Sequence, residues 1–167
     1  MVLEQRCART VYDETYDAPR EGRGVRRTFV AYSRAPEGLR TESLSLKDLG
    51  DVGEDLAAEY LESIGMSVVE RKWRCGLGEV DIVAEDGGAL VFVEVKTRRE
   101  GSVQVTPELA VTVTRQKRYL RLAELYISRM RPKPTVRFDV VAVTFPVASG
   151  DEVLLRHVTC AFFGDSR

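Results

Sequence analysis

Two apolar segments joined by a tight turn carry charged residues where bulk hydrophobicity alone would place only aliphatic ones. Residues 78–84 read Gly-Glu-Val-Asp-Ile-Val-Ala, and residues 90–96 read Leu-Val-Phe-Val-Glu-Val-Lys. Side chains alternate along a strand, so Glu79 and Asp81 share one face of the first segment and Glu94 and Lys96 share one face of the second. Burying an ionised group costs several kcal/mol unless the group is paired or holds a metal ion. The pattern therefore predicts a divalent-metal site.

The turn between the segments decides how closely these groups approach. Residues 85–88, Glu-Asp-Gly-Gly, are typical of a β-hairpin turn. A loop made of the two glycines places Asp81 opposite Glu94 and Glu79 opposite Lys96. A loop shifted by one residue toward the N-terminus makes Glu94 a diagonal neighbour of Asp81 on the same face. A three-residue loop without a bulge places the two acids on opposite faces. Both two-residue loops require a cation between the carboxylates, either Lys96 or a metal ion.

A helix predicted over residues 50–65 supplies a third acidic candidate. Its apolar residues recur at helical spacing, and Glu54 falls at the edge of that stripe, away from the exposed acids. In the first turn of this helix the dipole favours a carboxylate. Glu54 is therefore either a first-turn capping acid or a supporting carboxylate of the site, and the hairpin acids favour the site.

The remaining periodic segments complete a mixed α/β pattern. A second helix has an apolar stripe of Leu120, Ala123, Ile127 and Met130, and Gln116 falls inside that stripe. Gly65 ends the first helix, and Pro132 prevents the second from continuing. The predicted order is helix 50–65, strands 67–74, 78–85 and 89–97, helix 109–130, and strands 136–145 and 152–158. We expect one mixed sheet with helices packed on it.

Charge is distributed unevenly along the chain. Residues 1–47 hold nine Lys or Arg and seven Asp or Glu, with few large aliphatics and no sustained period, which predicts a flexible arm. Residues 48–167 then form the folded domain. Residues 111–137 hold eight basic residues against Glu124 alone, and residues 48–65 hold six acids and no base. A basic strip is usually a solvated face, but it also suits phosphate contact. Candidate phosphate-contacting residues are Arg98, Arg99, Arg115, Lys117, Arg118 and Arg121.

The cysteine, histidine and hydropathy patterns limit the cellular setting and the metal chemistry that this protein can have. The three cysteines form no CxxC pair, which predicts reduced thiols and a cytoplasmic setting. The chain shows neither a long apolar run nor a signal-peptide pattern, so no membrane association is expected. The single histidine, His157, is predicted to be a packed and hydrogen-bonded residue. One histidine supplies few ligands for zinc and little basis for a Ser-His type catalytic triad. Ligation by carboxylates suits Mg²⁺ or Mn²⁺.

The motifs together resemble those of a known family. The matching segments are residues 53–61, 73–75, 78–84, 90–98 and 137–143, within a resemblance that spans about 49–163. They resemble the YraN family, which is similar to archaeal Holliday junction resolvases and is identified as a branch of the PD-(D/E)xK, or restriction-endonuclease-like, nuclease superfamily. The resemblance implies a restriction-endonuclease-like αβββαβ core in which helices flank a central mixed sheet.

The resemblance also implies roles for individual residues. Asp81 and Glu94 are expected to bind Mg²⁺ or Mn²⁺, with the backbone carbonyl of Val95 as a further ligand, and Lys96 to orient water or neutralise charge. Glu54 is expected to support the site. Glu79 either touches the metal or pairs with Lys96, and the pairing is favoured. Gln116 either occupies an auxiliary position or hydrogen-bonds a strand end.

The expected function is that of a metal-dependent endonuclease acting on DNA, including branched DNA, with a homodimer left open. A nucleic-acid-binding module of the same fold without cleavage, or a protein-interaction scaffold, are the alternatives.

Overall fold

The computed structural model describes residues 9–11, 26–101, 112–147 and 151–161. These residues form seven strands and two α-helices. They are β1 (Arg9–Val11), β2 (Arg27–Arg34), α1 (Leu46–Ser63), β3 (Ser67–Cys75), β4 (Gly78–Asp86), β5 (Ala89–Arg99), α2 (Val113–Ile127), β6 (Thr135–Phe145) and β7 (Glu152–Thr159). A short 3-10 helix, Thr41–Ser43, precedes α1.

All of these strands belong to one mixed sheet in the order β1-β2-β7-β6-β5-β4-β3. The β5–β6 pair is parallel and spans Ala89–Arg99 against Thr135–Phe145, and the other neighbouring strands are antiparallel. A parallel pair needs a crossover connection, and α2 lies on it. The structure confirms the predicted mixed sheet and the restriction-endonuclease-like fold class.

The helices cover opposite faces of the sheet because alternate residues of its strands are apolar on both sides. On one face, α1 packs in a cluster that includes Leu56, Leu61 and Val93. On the other face, α2 packs through Tyr119, Leu122 and their neighbours on the strands. Both clusters consist of fully or nearly fully buried side chains. The middle of β5 is therefore buried on both faces.

Most element positions agree with the sequence, but both helices differ from the prediction. α2 spans Val113–Ile127 and is shorter than the predicted 109–130. α1 begins four residues earlier than predicted because Ser45 caps it, accepting a hydrogen bond from the Asp48 backbone N–H at 3.1 Å. α2 buries Tyr119 and Leu122 most deeply, whereas Leu120 is only partly buried. The buried face is thus rotated relative to the predicted stripe.

Strand β2 departs from the flexible arm expected for residues 1–47. It pairs with β7 from Arg27–Thr159 to Arg34–Glu152. Its buried positions hold the small side chains of Thr28, Ala31 and Ser33, which give no aliphatic period in the sequence. The described part of the expected arm therefore includes two sheet strands, β1 and β2, and the start of α1. The rest of the expected arm, residues 1–8 and 12–25, lies outside the described residues.

A buried polar network crosses the sheet beside this strand. Asp139 accepts hydrogen bonds from Arg137 at 3.0–3.2 Å and from the backbone N–H of Cys160 at 3.0 Å, and His157 Nε2 lies 3.1 Å from it. Tyr60 Oη of α1 lies 3.3 Å from His157 Nδ1. His157 is fully buried, which confirms that it is a packed, hydrogen-bonded residue.

Gly53→Ala should destabilise the protein, because α1 approaches β5 closely at this point. A Cβ atom at Gly53 would lie 2.8 Å from Thr97 Cγ2 and 2.9 Å from Thr97 Cβ, and overpacking of this kind typically costs about 1–3 kcal/mol. Gly50→Ala is the matched control in the same helix, since its Cβ would meet nothing within 4 Å. The control should gain up to about 1 kcal/mol from helix propensity. Urea unfolding measures both, and equal effects would refute the close approach.

Candidate functional site

The β4–β5 hairpin has the register of the two-glycine loop. Paired residues run from Asp86–Ala89 to Ile82–Val93, so the first of the three loop alternatives is the one observed along this stretch. Beyond Ile82 the backbone ladder stops, and Asp81 Oδ2 accepts a hydrogen bond from the Val95 N–H at 2.7 Å. The carboxylate thus takes the place of a backbone partner where the two strands separate.

Asp81 lies in a strongly perturbed electrostatic environment. Burial and the neighbouring charge of Glu94 raise its pKa to about 7, although the hydrogen bond from Val95 acts in the opposite direction. The charge of Glu54 also raises this pKa, and the charge of Lys96 lowers it. Three carboxyl groups and one ammonium therefore influence one another here. Such mutual perturbation is common at functional sites, although structural ion-pair networks also produce it.

Glu94 is buried, with 4% of its surface exposed. Its Oε1 atom contacts two cations: the ammonium of Lys96, two residues along β5, and the guanidinium of Arg115, whose Nη1 lies 3.0 Å away on α2. Lys96, one of the two cations expected beside these carboxylates, therefore pairs with Glu94, and its charge also lowers the pKa of Asp81. The sequence pattern places Arg115 in the basic strip and does not predict its contact with Glu94.

Glu54 points toward this region from α1. Because the helix begins at Leu46, Glu54 lies beyond the first turn, so the capping interpretation is wrong. Burial raises the pKa of Glu54. Its Oε2 atom is buried and makes no hydrogen bond to another described residue, although the Nζ atom of Lys72 lies 3.5 Å away.

Two residues near the acids escaped the sequence analysis. Lys72 pairs with Asp51 as well as Glu54 and has a φ of 52°, a left-handed conformation that is unusual outside glycine. Tyr119 is buried on α2, and burial together with the charges of Asp81 and Glu94 holds its pKa above the ordinary value. Nothing in the local sequence marks either residue, since both contacts depend on tertiary packing.

The two predicted auxiliary residues, Glu79 and Gln116, differ in their exposure. Glu79 is exposed and pairs with Arg74 at 2.8 Å, so the predicted pairing with Lys96 is wrong. That pairing assumed a ladder continuing past Ile82. Gln116 is half-buried on α2, and its auxiliary role stays a prediction.

Apart from Arg115, which pairs with Glu94, the predicted phosphate-contacting residues divide into two groups. Arg99 donates to the carbonyl oxygens of Thr41 and Leu44 at 2.7–3.1 Å, and Arg98 donates to Thr144 Oγ1 at 3.0 Å. Both side chains are therefore engaged in holding the fold. The exposed ones lie on α2 and are Lys117, Arg118 and Arg121.

The donor set suits a hard divalent cation. Mg²⁺ is commonly held by only one or two carboxylates and keeps several water ligands, and Asp81 and Glu94 supply that number. No group of three or more His, Cys, Asp and Glu able to hold a metal ion occurs among the described residues. Glu54, with its buried Oε2 atom, fits an outer position that contacts a ligand water.

The mixed sheet with a helix on each face, and the Asp81, Glu94 and Lys96 set on adjoining strands, define a chain of the restriction-endonuclease-like class. The chain belongs to the uncharacterised protein family UPF0102, whose sequence profile matches residues 53–143. The predicted resemblance to the YraN family is thereby confirmed, and the family lies within the restriction-endonuclease-like nuclease superfamily.

The matches to two related proteins span most of each relative's own length. A UPF0102 protein of Geobacter sulfurreducens is 47% identical over 70% of this chain and 89% of its own. The corresponding Rhodococcus opacus protein is 47% identical over 68% of this chain and 95% of its own. The structure of Pyrococcus furiosus SfsA in complex with Ca²⁺ covers 77% of this chain and 75% of its own at 16% identity, with a TM-score of 0.35.

Within the described residues, neither helix is long and apolar enough to cross a membrane.

Proposed function

We propose that this protein is a Mg²⁺- or Mn²⁺-dependent endonuclease that hydrolyses phosphodiester bonds in DNA. The observation that carries the proposal is the convergence of Asp81, Glu94 and Lys96 where β4 and β5 separate. The charge of Glu94 opposes ionisation of Asp81, and a divalent cation between the two carboxyl groups would offset that repulsion. Membership of the nuclease superfamily supports the reaction class, but the site must carry the function.

In this mechanism Asp81 and Glu94 would hold the ion, and the carbonyl oxygen of Val95 is a further candidate ligand. A bound divalent ion supplies Lewis-acid stabilisation of the phosphoryl oxygens and acidifies a water molecule. Lys96 would orient the attacking water and offset negative charge that develops on the phosphate. Glu54 would help to position a water molecule through its buried carboxylate oxygen.

The DNA would lie along the exposed basic face of α2. Lys117, Arg118 and Arg121 are exposed there, and the Cδ, Nε and Cζ atoms of Arg118 lie beside Gly78 at the start of β4. This places positive charge beside the strand that carries Asp81. Branched substrates, a homodimer making two incisions and a cytoplasmic location stay predictions within this proposal.

One observation favours a second candidate, a nucleic-acid-binding module without cleavage. Glu94 Oε1 already contacts two cations, Lys96 and Arg115, and such a pairing stabilises a buried carboxylate without any metal ion. A protein-interaction scaffold would instead use the basic face for an acidic protein. Binding to DNA that weakens steeply with salt would argue against that scaffold.

The test is a cleavage panel of linear, branched and single-stranded DNA with Mg²⁺ or Mn²⁺. We expect metal-dependent strand cleavage by the unmodified protein and none by Glu94→Gln. Glu85→Gln is the matched control, because it removes one exposed carboxylate from the same hairpin, and it should retain full activity. DNA binding with no cleavage of any substrate would support the binding module. If the protein neither binds nor cleaves DNA, the protein-interaction scaffold is the remaining candidate.

A further inference from the structure

Arg115 contacts the candidate metal ligand Glu94 and does not belong to the exposed basic face of α2. It lies in the first turn of α2, where its backbone N–H donates to the capping Thr112 Oγ1 at 3.3 Å. Its Nη1 atom lies 3.0 Å from Glu94 Oε1, while 35% of its side chain remains exposed. One end of this residue therefore reaches the interior of the site, and the rest borders solvent.

The oxygen that Arg115 contacts is one that a metal ion would use. Glu94 Oε1 is shared between Arg115 and Lys96, and a divalent ion bound to that oxygen would add further positive charge beside both. Fixed cations so close to a divalent ion repel it strongly in a partly buried site. The two side chains are about equally exposed, 33% for Lys96 and 35% for Arg115. Lys96 is anchored two residues from Glu94 on the same strand, whereas Arg115 reaches this oxygen from a separate helix. Arg115 is thus the cation better able to leave.

Once displaced from Glu94, the Arg115 guanidinium would need another anionic partner. It lies near the positive end of the α2 dipole, where a cation is unfavourable, and no acidic residue lies in the first turn of α2. The guanidinium group binds phosphate oxygens through paired N–H donors. A phosphate held beside a metal ion at Asp81 and Glu94 offers that anion.

We propose that Arg115 exchanges partners, pairing with Glu94 until a divalent ion occupies the site and then binding a phosphate group of the DNA substrate. The inference rests on the proposed function and deepens it. It makes metal binding and DNA binding cooperative, because each ligand favours the same displaced position of Arg115. It also makes Arg115 a barrier to metal binding when DNA is absent.

The test compares Arg115→Gln with Lys117→Gln, which removes the same charge from an exposed position two residues further along α2. Calorimetric titration with Mn²⁺ alone should show that Arg115→Gln binds the ion about 5-fold or more tightly than the unmodified protein, a change typical of site coupling. Lys117→Gln should leave Mn²⁺ affinity nearly unchanged. Arg115→Lys keeps the charge, so its Mn²⁺ affinity should lie close to the weaker affinity of the unmodified protein.

DNA binding supplies the second measurement. A fluorescent DNA duplex is titrated in EDTA and in Ca²⁺, an oxygen-seeking ion that serves here as a binding probe. The unmodified protein should bind the duplex more tightly with Ca²⁺, and Arg115→Gln should lose most of that gain. Lys117→Gln should weaken binding by a similar factor in both buffers.

Two results would overturn the exchange. The first is an unchanged Mn²⁺ affinity in Arg115→Gln, and the second is a full Ca²⁺-dependent gain in DNA affinity in that variant. Either result could occur while the unmodified protein still binds metal and cleaves DNA, in which case the proposed function stands. If the unmodified protein binds no Mn²⁺, both proposals fail.

Discussion

Asp81→Asn should abolish DNA cleavage and metal-induced stabilisation while leaving the metal-free protein at pH 8 as stable as before, or more stable. The raised pKa of Asp81, about 7, shows that the folded protein disfavours the charged form. Removing that charge relieves a cost on the order of 1–3 kcal/mol, after allowing for partial exposure of the carboxylate. Loss of a direct ligand should weaken metal affinity more than about 100-fold, the upper range for loss of an outer partner.

The pH dependence follows with a definite sign. An unfolded Asp titrates at about 4, whereas the pKa of Asp81 in the folded protein is about 7. Between these values the folded state holds a proton that the unfolded state has released. The contribution of Asp81 to the free energy of unfolding therefore falls as pH rises from about 4 to about 7, and Asp81→Asn should remove that slope. Urea unfolding across this pH range measures the difference.

Glu94→Gln is the informative comparison, since the expected sign is opposite. Glu94 is buried and paired with Lys96 and Arg115, so a neutral amide would leave two cations without their partner. The metal-free protein should then lose about 1–2 kcal/mol. Both variants should lose the thermal stabilisation that Mn²⁺ gives by binding the folded state. A strong destabilisation in Asp81→Asn with an intact Mn²⁺ response would identify Asp81 as a structural residue.

Asp139→Ala should cause the largest loss of stability, about 3–5 kcal/mol, the usual cost of breaking a buried ion pair. Asp139 is 1% exposed and is the shared acceptor for Arg137, His157 and the Cys160 backbone N–H. Its removal leaves a partly buried guanidinium and a buried imidazole without their common partner.

Asp86→Ala is the matched control for that network. Asp86 pairs with the same Arg137 at 2.7 Å, but 40% of its side chain is exposed. Its loss should cost less than about 1 kcal/mol. Urea unfolding compares the two variants, and similar losses would show that burial of Asp139 is not what makes its contacts important.

The hairpin and its acids could be predicted because the information is local. Alternation along β4 and β5, with the two glycines between them, limits the hairpin to a few registers, and the observed one brings Asp81 near Glu94. The end of the ladder at Ile82 could not be predicted, because the Asp81 carboxylate replaces a backbone acceptor there. The pairing expected for Glu79 failed for that reason.

Contacts between distant segments were beyond the sequence patterns. The Arg115 guanidinium reaches Glu94 only because α2 packs on the face of β5 that carries this acid. The Arg99 side chain holds carbonyl groups 55 and 58 residues away along the chain. Strand β2 gave no hydrophobic signal because small side chains fill its buried positions.

The central claim is that Asp81 and Glu94 together hold a divalent cation, and anomalous diffraction from crystals containing Mn²⁺ tests it most directly. We predict a strong anomalous peak about 2.0–2.2 Å from one carboxylate oxygen of Asp81 and one of Glu94, with Arg115 displaced from Glu94. Crystals of Asp81→Asn should lack this peak. Absence of a peak between the two carboxylates at millimolar Mn²⁺, with the Lys96 and Arg115 pairs to Glu94 unchanged, would contradict the account.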